Sequence, residues 1–369
     1  MILADLEIDG RERKVIMQAP KNGFFYVIDR ETGKFISAEK IMPVNWATHI
    51  DQETGRPVEA PGARYDEVGI AKKISPGPGG AHNWQPMSFS PDTGLVYLPA
   101  KQEPQIYRLD EEFQARSIGV NFGMDFWHPQ GEVADLPPEF GKEYQGYLLA
   151  WNPVTQKEVW RATHSTFHNG GVLSTAGNLV FQGNIDENVA AYNAATGESL
   201  WSMNTQTAML APPISYAMDG EQYVAIVVGY GSSSALWASE QLNPEGLKRN
   251  ISRVLAFKLG GDVQLPEMPP LPARAAPADD FGTEAQIAAG KVLFGRSCGG
   301  CHGANAIDNA LNPDLRYSPI AADAAAWKSV VIDGVRTENG MISFAEIYSE
   351  DDAEAMRAFV VRQAHQQAE

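Results

Sequence analysis

The sequence predicts a mainly β protein of propeller type, followed by a small all-α domain. Three observations predict it. Through residue 261, short β-branched and aromatic runs alternate with Gly, Asn, Asp and Pro turns. One strand–turn–strand unit recurs 41 residues on, at Tyr147–Trp160 and again at Asn188–Trp201. Beyond a proline-rich stretch, the apolar spacing becomes helical.

The chain opens on MILADLEIDG, which lacks the basic n-region, apolar h-region and cleavage site of a secretory signal. ILADLEI reads as a strand, Asp9-Gly10 as a tight turn and RKVIMQAP as the returning strand. A chain that opens inside a hairpin carries the expectation that Met1 is not the natural start.

The repeat follows. In YLLAWNPVTQKEVW and NVAAYNAATGESLW an apolar strand meets Asn-x-x-Thr, turns, and returns to a Trp. FFYVIDRETGKFI (Phe24–Ile36) shares the turn but lacks the Trp, and RVLAFKLGG (Arg253–Gly261) reads as a last copy cut short. A four-stranded blade cannot bury its faces alone, so a Trp at a fixed place is expected to fill the gap between neighbouring blades. An irregular β-sandwich is the competing reading.

Residues 262–282, DVQLPEMPPLPARAAPADDFG, hold five prolines and read as a semi-rigid linker. Residues 283–369 then supply three helical stretches, TEAQIAAGKVLFGRS, AADAAAWKSVVIDG and SEDDAEAMRAFVVRQAHQQ, the last opening on a Ser349-x-x-Asp352 capping pair. This gives a β region at 1–261, a linker at 262–282 and a helical domain at 283–369.

With 46 Asp and Glu against 29 Lys and Arg, the net charge is −17, which argues against nucleic-acid partners. No apolar run approaches the roughly 18 residues of a membrane span.

The two cysteines of the chain lie together in RSCGGCHGAN. Two thiols on one helical turn, Cys298 and Cys301, suit addition to the two vinyl groups of a haem, with His302 beneath the iron as axial ligand. A zinc site needs four ligands, and no second Cys/His pair exists. A thioredoxin-like pair would follow a strand and would not need the histidine. A simple disulfide stays open on spacing alone. The sixth iron ligand is expected at Met341, in ENGMISF, 39 residues past His302, with Met356 read as core of the final helix. Pro313 and LRYSPI are expected to pack near the haem. Thioether attachment happens outside the cytoplasm, so the expected location is the periplasm.

The combination resembles the quinohaemoprotein alcohol dehydrogenases over nearly the whole chain. The motifs are APKNGFFYVIDRETG, GGAHNWQPMSF, NGGVLSTAGNLVFQG, YVAIVVGYG, and GMISF after CGGCH. The resemblance implies part of an eight-bladed β-propeller followed by a cytochrome c domain. In that family the propeller axis holds pyrroloquinoline quinone (PQQ) and calcium, and electrons from an alcohol pass to haem c. By motif, Lys21 looks like the residue that hydrogen-bonds the quinone oxygens, its rival a surface lysine in a turn. Asn83 and Trp84 resemble the pair on the cofactor's far side, with blade packing the rival for Trp84. Tyr230 stands where relatives usually have Trp, which puts a cofactor contact there in doubt. His82, His164 and His168 carry no catalytic pattern and read as solvated or structural.

The resemblance also implies what is absent. The family's catalytic aspartate would fall upstream of Met1, and its calcium ligands, tandem-cysteine disulfide and tryptophan floor belong to the N-terminal half. The expectation is therefore the C-terminal portion of such an enzyme, inactive alone. Its partners would be a small alcohol, the missing N-terminal half, and a periplasmic acceptor (a copper protein, a cytochrome or a quinone). Two other readings compete: an electron-transfer c-type cytochrome with a β docking module, and a propeller interaction protein with a vestigial haem domain.

Overall fold

The computed structural model describes residues 1–115, 117, 121, 123–124, 138–140, 143–231, 249–270, 278–303, 305–307 and 311–366. The chain divides into two compact units. One takes in Met1–Leu109, Pro129–Tyr230 and Ile251–Glu267, the other Asp110–His128, Gly231–Asn250 and Met268–Glu369.

The first unit is a series of antiparallel sheets. β1 (Ile2–Ile8), β2 (Arg11–Gln18), β3 (Phe24–Asp29) and β4 (Phe35–Lys40) pair in chain order. β1 and β2 turn through Asp9 and Gly10, whose φ values of 53° and 69° are the two left-handed positions of a type I′ hairpin. β5 (Ala47–Ile50) pairs with β6 (Pro57–Glu59), and β7 (Lys72–Ile74) with β10 (Gln105–Tyr107). The second large sheet orders β8 (Ser88–Ser90), β9 (Leu95–Gln102), β11 (Gln145–Asn152) and β12 (Lys157–His164). The third runs β13 (Asn169–Thr175), β14 (Leu179–Asn184), β15 (Asn188–Asn193) and β16 (Ser199–Asn204). Among the described residues the last has three strands, β17 (Ile214–Met218), β18 (Glu221–Val228) and β19 (Arg253–Lys258).

These sheets stack face to face in chain order. Val15, Met17, Phe25 and Val27 of the first share one core with Val96, Leu98, Ala100 and Leu149 of the second. Leu95, Tyr97, Leu148 and Trp160 share another with Val172, Val180 and Ala194. Val189 and Met209 share a third with Val224, Ile226 and Val228. All eight residues of β9 are buried, because its alternate side chains serve the cores on its two faces. Such stacking is what a propeller of blades requires and what a two-layer sandwich lacks.

The repeated turns share a local cause. Asp29, Asp51, Asn152 and Asn193 each accept, through Oδ1, hydrogen bonds from the backbone N–H groups two and three residues on. The side chain thereby closes an Asx turn and fixes where the hairpin reverses. The Asp51 copy, in DQETG, is one the strand-to-Trp pattern did not reveal. Trp160 fills the gap between blades as expected, donating Nε1–H to Ala194 O at 3.0 Å and lying 5.7 Å from the Tyr97 ring. Trp201 departs from that expectation. It stays 40% exposed, edge-on to Phe257 of the last sheet at 5.3 Å.

The second unit carries α1 (Glu284–Ser297), α2 (Gly299–His302), α3 (Ala324–Val331) and α4 (Glu350–Gln366). Thr283 caps α1, accepting from Gln286 N, and Asp323 caps α3. Ser349 and Asp352 form the expected capping box on α4, with Asp352 N donating to Ser349 Oγ and Ser349 N to Asp352 Oδ2. α1 and α4 cross closely at Gly290, where a Cβ would collide with the Ala355 carbonyl, and the Phe294 and Phe359 rings meet at 5.4 Å. Among the described residues no helix is long and apolar enough to cross a membrane.

Candidate functional site

α1 delivers the cysteine cluster. Cys298 is its C-cap, and α2 begins at the next residue, so Cys298, Cys301 and His302 occupy one turn. Cys301 N and His302 N both donate to Cys298 O, at 3.0 and 2.9 Å, and Asn312 Nδ2 donates to Cys301 O at 2.7 Å. The two cysteines are not joined in a disulfide. Burial pushes the Cys298 thiol up to about 12, so it holds its proton at neutral pH.

His302 has its Nδ1 buried without a hydrogen-bond partner. Burial holds its pKa below the ordinary imidazole value, opposed by the backbone carbonyl of Pro313. A neutral imidazole is the form that ligates a metal. Cys298 lies in an apolar core with Phe294, Trp327, Phe344, Tyr348 and Met356, and Met341 packs against that same core. Gly340, in the left-handed conformation at φ 89°, turns the chain so that Met341 N reaches Arg336 O at 3.2 Å. Met356 is fully buried, its sulfur 3.8 Å from Cys298 Sγ, as its reading as core requires. Leu315 and Ile320 of LRYSPI pack on the same cluster, and Arg316 is buried in a bidentate pair with Asp314. An apolar core holding a thiol and a partly buried thioether, with a largely buried imidazole on the same turn as the thiol, fit a haem c.

In the first unit, the structure brings together three of the four residues expected on the quinone side. Ala81 N donates to Lys21 O at 3.1 Å, and a Cβ on Gly80 (φ 76°) would sit 2.7 Å from Lys21 Cα. The Lys21 loop therefore lies directly on the segment that carries Asn83 and Trp84. Asn83 Nδ2 donates to Gly79 O at 3.1 Å, while Lys21 is exposed and Trp84 is 48% exposed, so Trp84 is not interior blade packing. Tyr230 lies elsewhere, buried, its hydroxyl donating to Glu187 Oε1 at 3.1 Å. Burial pushes that phenol far up, with Glu187 adding to the effect.

The histidines with no catalytic pattern are all buried and none is solvated. His82 Nδ1 lies 2.6 Å from Ala19 O and Nε2 lies 2.8 Å from Gln85 O, so this ring clasps the Lys21 loop to the 79–85 segment. His164 Nε2 meets Gln182 Oε1 at 2.9 Å. Sequence reasoning missed the His82 clasp. Its only signal was adjacency to Asn83, since both acceptors are backbone carbonyls that leave no side-chain pattern.

Stacked blades joined in one chain to a helical unit with Cys-x-x-Cys-His define a propeller–cytochrome c protein. Residues 140–224 match the family described as glucose/ethanol/alcohol dehydrogenase, beta-propeller domain, and residues 285–360 match cytochrome C oxidase, cbb3-type, subunit III. Quinohemoprotein alcohol dehydrogenase ADH IIB of Pseudomonas putida is 43% identical over 99% of this chain and 51% of its own length. Lupanine 17-hydroxylase [cytochrome c] of a Pseudomonas species is 38% identical over 99% and 51%. The solved structure of quinohemoprotein alcohol dehydrogenase ADHIIG from Pseudomonas putida HK5 superposes with a TM-score of 0.89 at 38% identity, covering 100% of this chain and 54% of that one. This chain is homologous to the C-terminal half of the quinohaemoprotein alcohol dehydrogenases, and spans about half the length of the curated relatives it matches.

Proposed function

We propose that the chain supplies one side of the quinone pocket and the whole haem relay of a periplasmic PQQ- and haem c-dependent alcohol dehydrogenase. It would work with a polypeptide that provides the relatives' other half, including the catalytic aspartate and the calcium ligands. The division into propeller part (1–261), linker (262–282) and cytochrome c domain (283–369) belongs to the same proposal.

When bound, PQQ with calcium takes two electrons from an alcohol, and haem c hands electrons singly to an acceptor. The residues of this chain act around those groups. The Lys21 ammonium, exposed at the end of its loop, favours negative charge on a neighbouring oxygen. Asn83 is fixed by its bond to Gly79, and Trp84 offers an apolar face. Tyr230 has its hydroxyl committed to Glu187, which supports a packing role rather than a cofactor contact. Cys298 and Cys301 would tie the porphyrin, with His302 and Met341 as iron ligands. Methionine ligation raises the iron potential, which suits an acceptor of electrons.

The observation that carries this reading is the pairing of the Cys298–His302 turn with Met341 on one apolar core. The test is to express the chain in an exporting host that matures such cytochromes. A c-type spectrum is expected. With added PQQ, calcium and an alcohol, turnover is expected only when the other half is present. Colourless protein sinks the haem assignment. Turnover by this chain alone sinks the placement of the base outside it, and a c-type spectrum with no turnover by the joined halves favours an electron-transfer cytochrome.

A further inference from the structure

His168 has no place in the chemistry above, yet it is buried in the first unit with both ring nitrogens unpartnered. It is 3% exposed, and neither Nδ1 nor Nε2 has a hydrogen-bond partner. Its ring lies 4.0 Å from that of Phe167. Over the same Phe167 ring, at 5.7 Å, stands the ammonium of Lys101, itself 7% exposed and paired with Glu103 Oε2 at 2.5 Å. Burial, with the Lys101 charge adding to it, pushes the His168 pKa down to about 3, so the ring is neutral at working pH. A neutral imidazole has one N–H to give and one lone pair to fill. Leaving both unmet in a dry interior is destabilising, because the desolvation of each group goes uncompensated.

The surroundings indicate what meets them. The Lys101–Glu103 pair is packed against Gly79, where a Cβ would collide with the Glu103 carboxylate and lie 2.8 Å from Lys101 Nζ. The next residue, Gly80, is packed against Lys21. Two successive glycines of one turn are thus packed against Lys21 and against a buried ion pair, and the Phe167 ring carries Lys101 of that pair and the orphaned His168 imidazole. Water takes two to four polar partners and is the ligand such a polar interior recruits.

We propose that His168 and the Lys101–Glu103 pair hold internal water, forming a hydrated polar passage behind the Lys21 loop. Its use rests on the dehydrogenase reading. Converting an alcohol to an aldehyde releases two electrons and two protons, the electrons leaving through haem and the protons to solvent. Glu103, its side chain 22% exposed against 8% for Lys101, is the more exposed member of the pair and accepts hydrogen bonds from neighbouring water. His168, held neutral, orients water without storing charge.

The test uses the chain as purified and needs no quinone. A crystal structure of high resolution is expected to place ordered water within hydrogen-bond distance of a His168 nitrogen. The His168 ring N–H, followed by nitrogen-15 NMR, is expected to exchange with bulk water within seconds. His168→Phe should lose that water, and His168→Gln, which keeps a polar partner and guards against a folding defect, should retain it. A dry site, or a ring N–H protected for hours, overturns the proposal and leaves the dehydrogenase reading intact. Failure of that reading would instead appear as no turnover by the joined halves, with the water still in place.

Discussion

Met341 and Met356 offer two thioethers for one iron, and their settings separate them. Met356 is fully enclosed, with its sulfur against Cys298, while Met341 follows a left-handed glycine and is only partly covered by the same core. Met341→Ala is therefore expected to abolish a thioether-to-iron absorption band and lower the midpoint potential while the fold persists. Met356→Ala should keep the band and cost about 2–5 kcal/mol of stability, as core truncations do. Visible spectroscopy, potentiometry and denaturant titration of both variants check this. Replacing Cys298 and Cys301 together should remove all haem that survives denaturing electrophoresis. The cysteine turn and Met341 were legible in the sequence because attachment and ligation need particular residue types, two of them on one helical turn. His168 was not legible, because what marks it is the lack of partners around a buried ring, and Lys101 and Glu103 come from another strand region of the chain.

Secondary elements show where close packing fixes residue choice. At the α1–α4 crossing, Gly290 lets two backbones meet, and a methyl there has only the Ala355 carbonyl and Met356 N to enter. Gly290→Ala should lower the stability of the helical unit by about 1–3 kcal/mol through overpacking, read as a fall in its denaturation midpoint. Trp160 plays the corresponding part between the second and third sheets. Trp160→Ala removes its ring from Tyr97 and its bond to Ala194, and should cost about 3–5 kcal/mol in urea unfolding of the first unit. Trp201→Ala, already 40% exposed, should cost distinctly less, although the two tryptophans occupy matching places in the repeat. The repeat was readable as a pattern of hairpins. The difference between its tryptophans was not, because it depends on how the neighbouring sheet covers each ring.

For the molecule as a whole, acid is the revealing variable. His82, His164 and His168 all have pKa values held below the ordinary 6.5, burial being the largest cause in each. Between that value and their folded values the unfolded chain binds more protons than the native one, so stability rises with pH across the window. For His168 the window reaches down to about 3. The urea midpoint is expected to fall steadily from pH 7 to pH 4, and His168→Gln should flatten part of that slope. The apolar side chains exposed on the last sheet, Ile214, Met218, Val227 and Val254, argue separately for association. Sedimentation of the chain should show self-association that a polypeptide carrying the relatives' other half suppresses.

By itself the sequence determined the class of fold, the Asx-closed hairpins and the one-turn cysteine–histidine motif, because each depends on residues a few positions apart and on local stereochemistry. Tertiary structure alone decided which apolar faces share a core, that Tyr230 spends its hydroxyl on Glu187, that His82 clasps two loops 63 residues apart, and that a neutral His168 lies beside a buried ion pair. Those outcomes depend on burial and on partners drawn from distant strands. Both are properties of the assembled blades and of no single segment.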